Sequence, residues 1–254
     1  MKVKSATTGL LKRALPKRIK DSLLHLSFQL APTEFEKFAH LYSFAPHMRF
    51  GLESIAARGF NPKTVIDVGA YQGKWSALAS SIWPESRMIM VEPNPVWRCL
   101  KANGDFISAL LGAEDGKEVD FQVMGSGSSV FDERSAVPRT VERRTLQRLD
   151  TAVSGVEAPI FLKIDAQGYE LEILKGASRL LPQIAGILLE VAILEINQGA
   201  PLIHEVLAFM RDLDFVTYDV LEIHRRPLDG ALNQVDILFV RDSSPLIADK
   251  RHFA

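Results

Sequence analysis

From Thr64 onward, short runs of β-branched and apolar residues alternate with segments of helical periodicity. Seven runs are typical of strands: Thr64–Val68, Met88–Glu92, Ile107–Leu111, Ile160–Asp165, Gly186–Val191, Val216–Glu222 and Val235–Val240. Helices fit four of the intervals between them: Lys74–Ser80, Val96–Ala102, Tyr169–Gly176 and Ile203–Leu213. Strands that alternate with helices predict an α/β fold, with a mostly parallel sheet and helices on both of its faces.

The last two runs are joined by a loop that contains Pro227, Asp229 and Gly230 and leaves no room for a crossover helix. Strands joined so closely pair antiparallel. We therefore expect a seven-stranded sheet in which only Val235–Val240 is antiparallel to the rest. The alternating segment Glu118–Phe131 is expected to form a β-hairpin inserted near the edge of that sheet.

Residues 1–60 have helical periodicity but carry no motif with visible chemistry. One helix is predicted over Leu10–Leu26, a second from Pro32, and a third between Met48 and Arg58. The chain is therefore divided into an N-terminal helical segment, residues 1–60, and a main domain, residues 61–254. The lysines and arginines that precede Asp21 are interpreted as a solvated arm, with a membrane-surface or phosphate-binding role as the alternative.

The composition limits the class of protein. The chain has 254 residues, 47% of them hydrophobic, which suits one α/β domain with a small appendage. A net charge of -1 gives no overall field that attracts nucleic acid. The single cysteine, Cys99, excludes an internal disulfide and a four-cysteine zinc site. The best membrane candidate, Ile184–Ile196, is too short and contains Glu190 and Glu195, so we expect a cytoplasmic protein without an integral membrane segment.

The strongest local motif is a β-branched run followed by a glycine-rich turn, Val65–Gly73, after which a helix begins. Gly69 allows a sharp turn at the carboxyl end of the strand, and Gly73 leaves room for a ligand at the start of the helix. Ligands of such sheets bind at the carboxyl ends of the strands. The turn, including Ala70, is therefore predicted to bind a cofactor.

Two classes of cofactor compete for this turn. A dinucleotide site has the pattern G-x-G-x-x-G, and here Asp67 occupies the position of its first glycine. A carboxylate at that position repels a pyrophosphate but suits the cationic amino-acid part of S-adenosylmethionine. Asp67 therefore favours S-adenosylmethionine over NAD.

Glu92 closes the next strand, at the spacing where an acid can accept hydrogen bonds from both hydroxyls of a ribose. This role supports an adenosine ligand of either class, and a turn acid before Pro93 is the alternative. The loop after the following run places Leu111 and Ala113 where an adenine ring is commonly flanked, although an ordinary β-turn is an equal interpretation.

The most distinctive stretch runs from Phe161 to Ala177 and contains the segment K-I-D-A-Q-G-Y-E, which begins at Lys163. It closely resembles the K-I-D-x-[QE]-G-x-E-x-x-[VI]-L-x-G-[AS] stretch of the FkbM family of methyltransferases. Further family-like stretches stand in order around it: Asp67–Gly73, Val91–Pro95, Gly127–Val130, Arg144–Leu149, Leu188–Glu190 and Val235–Arg241. The resemblance covers about residues 60 to 242, and it departs at Gln147, where the family usually has an aspartate.

The resemblance implies a Rossmann-like, class I methyltransferase that uses S-adenosylmethionine. It also implies O-methylation of a hydroxyl on a sugar or another natural product, so the expected partner is a small-molecule or saccharide acceptor. Position by position, five residues match the cofactor motifs of the family: Asp67, Gly69, Ala70, Gly73 and Glu92. The sequence is compatible with a homodimer.

Two acids are candidates for the chemistry. Asp165 ends its strand beside the glycine turn and could act as a base, orient the acceptor or contact the methionine amine; helix capping is the alternative. Glu190 could approach the acceptor or, with Asp165, bind a divalent cation, but two carboxylates are too few to predict a metal site. The six histidines form no ligand spacing, and His47 and His224 are minor base candidates.

Two further segments have a functional and a structural interpretation. The polar loop Gly125–Ser129 could donate hydrogen bonds to a hydroxylated acceptor, although a flexible turn is favoured. The cluster Arg139, Arg143, Arg144 and Arg148 could bind a phosphate or carboxylate, although a solvated helical face is favoured.

Two other functions remain as alternatives. An NAD-dependent oxidoreductase is disfavoured by Asp67 and by the missing first glycine. A non-catalytic adenosine-binding scaffold of the same fold is disfavoured because Asp67, Gly69, Glu92 and Asp165 are all intact.

Overall fold

A seven-stranded sheet is the main element of residues 51–254. The computed structural model describes residues 16–41, 46–97 and 104–252. In chain order the strands of this sheet are β1 (Thr64–Val68), β2 (Arg87–Val91), β3 (Asp105–Ile107), β7 (Ile160–Ile164), β8 (Ile184–Ala192), β9 (Phe215–Arg225) and β10 (Leu232–Arg241). They are ordered β3-β2-β1-β7-β8-β10-β9.

The direction of each strand follows the prediction. β1 pairs in parallel with β2 and β7, and β7 pairs in parallel with β8. β10 is antiparallel to both of its neighbours, β8 and β9. The expectation of seven strands with one antiparallel member is confirmed. The short connection between β9 and β10 accounts for it, since no helix can cross over within it.

A second sheet has three strands in the order β4-β6-β5, namely β4 (Leu110–Leu111), β5 (Glu118–Val123) and β6 (Thr140–Gln147). It corrects two expectations. The predicted strand Ile107–Leu111 is divided, with β3 in the large sheet and β4 in the small one. The predicted hairpin within Glu118–Phe131 is limited to one antiparallel bridge between Gln122 and Ser129, and the strand β5 pairs antiparallel with β6 along its length.

The arginine cluster lies on and beside β6, not on a helical face. Arg143 pairs with Asp120 across the strands at 2.9 Å, and Arg144 pairs with Glu142. Arg139 contacts Asp132, and Arg148 contacts Asp150. Charged residues on a half-exposed strand have no apolar pattern that fixes their period, so the sequence does not distinguish this strand from a solvated helical face.

Helices cover the large sheet. They are α4 (Lys74–Ile82), α5 (Leu149–Ala152), α6 (Glu170–Lys175) and α7 (Ile203–Asp212). All five residues of β1 and of β7 are buried. Central strands that are buried on both faces are normally apolar throughout, so the charged residues Asp67 and Lys163 within them are exceptional.

The N-terminal segment contains α1 (Lys17–Leu30), α2 (Pro32–Leu41) and α3 (Met48–Ala57). The chain separates into compact units of residues 1–50 and 51–254, and α3 crosses that boundary. Pro32 is the first residue of α2, a position where its missing N–H costs nothing. Some predictions fall outside the described residues: the cations before residue 16, Cys99, and the part of the Val96–Ala102 helix that follows Trp97.

Candidate active site

A cleft opens at the carboxyl ends of β1, β2 and β7. Residues from these strand ends, from the β4 segment and from the small sheet line it: Gly69, Tyr71, Glu92, Ala109, Leu111, Phe121, Gly125, Ser126, Ser128, Val130, Asp165 and Tyr169 among them. The structure therefore brings together four of the predicted site residues, Gly69, Glu92, Leu111 and Asp165. Asp67, Ala70, Gly73, Ala113 and Glu190 do not line this cleft.

The glycine turn forms the floor of the cleft. Gly69 and Gly73 both have positive φ angles, 73° and 68°, which glycine adopts without strain. A Cβ atom at position 69 would overlap the backbone carbonyl oxygen of Asp165. Gly69 is therefore required for the close approach of β1 and β7 as well as for the turn.

Glu92 is buried, yet it borders the cleft. Its two carboxylate oxygens accept the backbone N–H groups of Tyr71 and Asn94, each at 3.0 Å. Burial raises the pKa of this carboxyl, and the two N–H groups oppose the shift. The hydrogen bond from the backbone N–H of Tyr71 holds Glu92 against the glycine turn. The acid predicted to bind a ribose and the turn therefore have a fixed relative position. Because each oxygen has a second lone pair, Glu92 can still accept hydrogen bonds from a ligand.

Apolar side chains form one wall of the cleft. Leu111 and Phe121 are buried and contribute to it together with Tyr169. This wall suits the flat face of an adenine ring, while Glu92 suits the ribose next to it. The lining therefore fits an adenosine ligand at the cofactor position expected from the sequence.

Lys163 is the charged centre beneath the cleft, and the sequence analysis assigned it no role. Its ammonium lies 3.2 Å from Asp67 Oδ1 and 3.3 Å from Asp165 Oδ2. Burial by itself lowers the pKa of this ammonium, but the negative charges of Asp165 and Asp67 outweigh it and raise the pKa. The sequence feature that indicates this arrangement is a lysine within an apolar strand, two residues before an acid.

Asp67 is completely buried, and burial raises its pKa although Lys163 and a hydrogen bond from Ser76 oppose the shift. Its assignment as a direct cofactor contact stays a prediction. The structure gives it a second role as the fixed partner of Lys163, because a buried charge needs a counter-charge.

Asp165 differs from Asp67 in exposure. One third of its side-chain surface, 33%, is exposed, and the residue lines the cleft. Burial of the rest raises its pKa, but the Lys163 ammonium and the hydrogen bond from Gln167 lower it by more. Asp165 is therefore an ionised acceptor. Its neighbour Glu170, not Asp165, accepts the N–H groups of Ala166 and Gly168 ahead of α6, at 2.9 and 3.0 Å.

Gln167 joins the two candidate acids, and the sequence analysis did not single it out. It has a left-handed backbone with a φ angle of 51°. Its amide donates to Asp165 at 3.0 Å and to Glu190 at 2.6 Å. The pKa of Glu190 is raised well above its ordinary value, by burial and by the nearby charges of Asp165 and Asp236. Glu190 lies behind Asp165 in a separate small cavity, where Gln234 also donates to it.

The histidine candidates do not line the cleft. His47 bonds to Glu36 at 3.3 Å and stacks on Phe50. His224 pairs with Asp236 at 2.7 Å on the neighbouring strand. The polar loop at Gly125–Ser128 does line it, so the hydrogen-bonding interpretation of that loop gains a structural basis.

Glu170 offers a test of buried charge at this site. The residue is only 3% exposed, and burial raises its pKa to about 7. The folded state holds this proton up to about pH 7, whereas the unfolded state releases it near the ordinary carboxyl pKa of 4.5, so the carboxyl lowers stability progressively as pH rises between these two values. Glu170→Gln keeps an oxygen for the two N–H groups and removes the charge. We expect wild type to lose about 2–3 kcal/mol relative to the variant between pH 5 and pH 8.

Urea unfolding at both pH values measures this difference. The control is Glu172→Gln, which changes a more exposed carboxylate of the same helix that pairs with Lys175. A stability difference between wild type and Glu170→Gln that stays constant with pH would contradict the interpretation.

The sheet order, the single reversed strand and the cleft at the carboxyl ends of β1 and β2 define a class I, Rossmann-like methyltransferase. A model of the methyltransferase FkbM domain matches residues 67–217. This match covers more than half of the chain, and the chain belongs to the FkbM methyltransferase family. Its cofactor is S-adenosylmethionine, as the sequence predicted.

Solved structures with a similar fold were also found, and no curated protein sequence matches significantly. One is the FkbM methyltransferase of Methylobacillus flagellatus KT, 14% identical with a TM-score of 0.43 over 69% of this chain and 43% of that chain. Another is magnesium protoporphyrin IX methyltransferase of Synechocystis PCC 6803 with bound S-adenosylmethionine, 10% identical with a TM-score of 0.42 over 87% and 96%. A third is 1,6-didemethyltoxoflavin-N1-methyltransferase of Burkholderia thailandensis, 12% identical with a TM-score of 0.40 over 89% and 91%.

The chain thus spans less than half the length of the Methylobacillus protein. Among the described residues, every helix is too short or too polar to cross a membrane.

Proposed function

We propose that the protein transfers a methyl group from S-adenosylmethionine to a hydroxyl oxygen of a saccharide or another natural product. The observation that carries this proposal is the placement of Asp165. Its ionised carboxylate is open to the same cleft that Glu92 and Leu111 line. The same cleft therefore has a surface that suits adenosine and, next to it, a carboxylate that can take the proton of a hydroxyl group.

Methyl transfer needs an acceptor oxygen in line with the methyl group and a route for its proton. When bound, S-adenosylmethionine supplies a methyl group on a positively charged sulfur. Asp165 accepts a hydrogen bond from the acceptor hydroxyl and takes its proton as the new O–C bond forms. The electron pair of the broken C–S bond stays on sulfur. Lys163 and Gln167 hold the carboxylate in one orientation throughout.

The acceptor class follows from the polar side of the cleft. Ser126 and Ser128 line it, and hydroxyl groups both donate and accept hydrogen bonds. They suit an acceptor with several hydroxyl groups. Turnover with labelled S-adenosylmethionine against panels of saccharide, natural-product hydroxyl, amine and thiol acceptors tests this choice, and methylation of amines or thiols alone would overturn O-methylation.

Glu92 is proposed to bind the ribose hydroxyls, and this predicts a loss of cofactor affinity in Glu92→Ala. The expected loss is about 1–3 kcal/mol, because polar partners are left unpaired. Titration calorimetry with S-adenosylmethionine and its demethylated product measures it, and NAD should not bind to wild type. Glu85→Ala removes an exposed acid before β2 and is the matched control.

Binding of NAD without binding of S-adenosylmethionine would overturn the cofactor assignment. The cytoplasmic location and the homodimer stay predictions.

A further inference from the structure

The helix α1 carries an apolar stripe along one side. Its members recur at intervals of four, three and four residues: Ile19, Leu23, Leu26 and Leu30. Since an α-helix turns by about 100° per residue, these four positions fall within an arc of about 60°. The stripe therefore presents four aliphatic side chains to one direction.

The aliphatic stripe is exposed. Between 46% and 76% of the surface of each of its four residues is accessible to solvent. Outside α1, the exposed large hydrophobic residues of the described chain lie on separate elements, for example Val96, Leu207 and Leu228. Single apolar side chains are ordinary on a protein surface, whereas a contiguous apolar patch marks a surface that binds a partner.

Positive charge is concentrated at the same end of the chain. The first 20 residues contain seven of the 30 lysines and arginines and none of the 31 aspartates and glutamates, although the whole chain has a net charge of -1. Three of these cations, Lys17, Arg18 and Lys20, belong to the first turn of α1, which contains no acid. Because the helix dipole disfavours cations at this end, they do not serve to stabilise the helix.

An aliphatic stripe next to a cluster of cations is typical of a helix that lies in the surface of an anionic membrane. Aliphatic side chains enter the boundary between headgroups and acyl chains, and lysines and arginines are attracted to anionic headgroups. A nucleic acid has phosphates for the cations but no apolar layer for the stripe. The two features together therefore favour a lipid surface.

A second copy of this chain suits the stripe less well. The spacing of the stripe is that of a coiled-coil seam, but α1 spans only two heptads, and a coiled coil needs at least about three. A parallel pair would also bring the cations of both chains together, where they repel each other. An antiparallel pair avoids this repulsion but is equally short.

We propose that α1 binds the surface of a membrane that contains anionic lipid, with the aliphatic stripe toward the acyl chains. Its 14 residues span about 21 Å, less than the hydrocarbon core of about 30 Å, so the helix lies along the surface and does not cross it. The exposed stripe thus favours a membrane-surface role over a solvated arm for the cations before Asp21. This inference is independent of the methyl acceptor.

Sedimentation of the full chain with lipid vesicles tests the proposal. Vesicles of phosphatidylglycerol and phosphatidylcholine in equal parts are negatively charged, whereas vesicles of phosphatidylcholine alone have no net charge. We expect binding to the charged vesicles to be tighter by about tenfold or more. Added NaCl should weaken this binding, because salt screens the attraction between the cations and the headgroups.

The stripe and the cations are tested by separate double variants. Leu23→Gln with Leu26→Gln removes the centre of the stripe but keeps residues that favour a helix, and it should weaken binding to charged vesicles by about tenfold or more. Arg18→Gln with Lys20→Gln keeps the stripe and should reduce the preference for charged vesicles by about tenfold or more.

The matched control is Leu207→Gln with Leu228→Gln, which removes two exposed leucines outside α1 and should leave vesicle binding unchanged. Circular dichroism and the melting temperature show whether each variant folds as wild type does. The variant of Arg18 and Lys20 leaves every aliphatic side chain in place, so it tests the proposal even where the leucine variant does not fold.

Three results would overturn the proposal. One is that wild type does not bind the charged vesicles, or binds both kinds of vesicle equally. Another is that the variant of Leu23 and Leu26 folds and retains full binding. The third comes from sedimentation velocity: a dimer of wild type that becomes a monomer in the leucine variant, without vesicle binding, would assign the stripe to a second copy of the chain.

Discussion

Asp165→Asn is expected to reduce turnover by about 100-fold or more while leaving the fold intact. The amide has nearly the shape of the carboxylate and still accepts a hydrogen bond from Lys163. It cannot take a proton from the acceptor hydroxyl, and it lacks the charge that holds that hydroxyl in line. Lys163 remains paired with Asp67, so the melting temperature should change little.

Three measurements on this variant distinguish the roles of Asp165: turnover, affinity for S-adenosylmethionine and melting temperature. A fall in turnover alone fits a base or an orienting group, and a parallel fall in affinity would show contact with the methionine amine instead. The control, Asp120→Asn, removes an exposed carboxylate of β5 that pairs with Arg143. Full activity of Asp165→Asn would remove this residue from the mechanism and direct attention to Glu190.

Lys163→Met is expected to lower the free energy of unfolding by about 3–5 kcal/mol, the typical cost of leaving one buried charge without its partner. Asp67 has no exposed surface, and Lys163 supplies the positive charge beside it. Methionine fills a similar volume, so the loss would reflect electrostatics more than packing. Equilibrium unfolding in urea measures it.

A double variant separates charge from volume at this position. Asp67→Asn combined with Lys163→Met removes both charges and should recover most of the lost stability, whereas a packing defect would persist. Lys175→Met, which breaks an exposed pair with Glu172, should change stability by less than about 1 kcal/mol. Equal effects of Lys163→Met and Lys175→Met would contradict the central role of Lys163.

The large sheet could be predicted because its determinants are local in the chain. Apolar runs define β1 and β7, and a loop too short for a helix fixes the direction of β10. The small sheet could not be predicted in the same way. Its strands β5 and β6 are separated by residues 124–139, and their exposed faces carry charges that give no clear period.

The site residues show the same contrast between features that a local motif predicts and features that depend on distant segments. Glu92, Gly69 and Asp165 stand at strand ends that follow recognisable motifs, so their shared edge could be inferred from a parallel sheet. Glu190 was placed with Asp165 in the sequence analysis, and the two carboxyl groups do interact, but only Asp165 lines the cleft. Packing between distant segments decides whether a side chain faces the cleft or the interior. No local pattern in the sequence predicts this.

The contact between Gly69 and the carbonyl of Asp165 has a consequence for building chimeric enzymes. Because no Cβ fits at that point, the glycine turn and the acid proposed to act on the acceptor are set at a fixed separation by backbone alone. Segments 64–73 and 160–170 therefore have to be exchanged together when related enzymes are recombined. The small sheet, which carries Gly125–Ser128, is not held by that contact, but Ser129 beside this loop donates to the carbonyl of Gln167 at 2.9 Å, so a graft that alters the loop has to keep this bond.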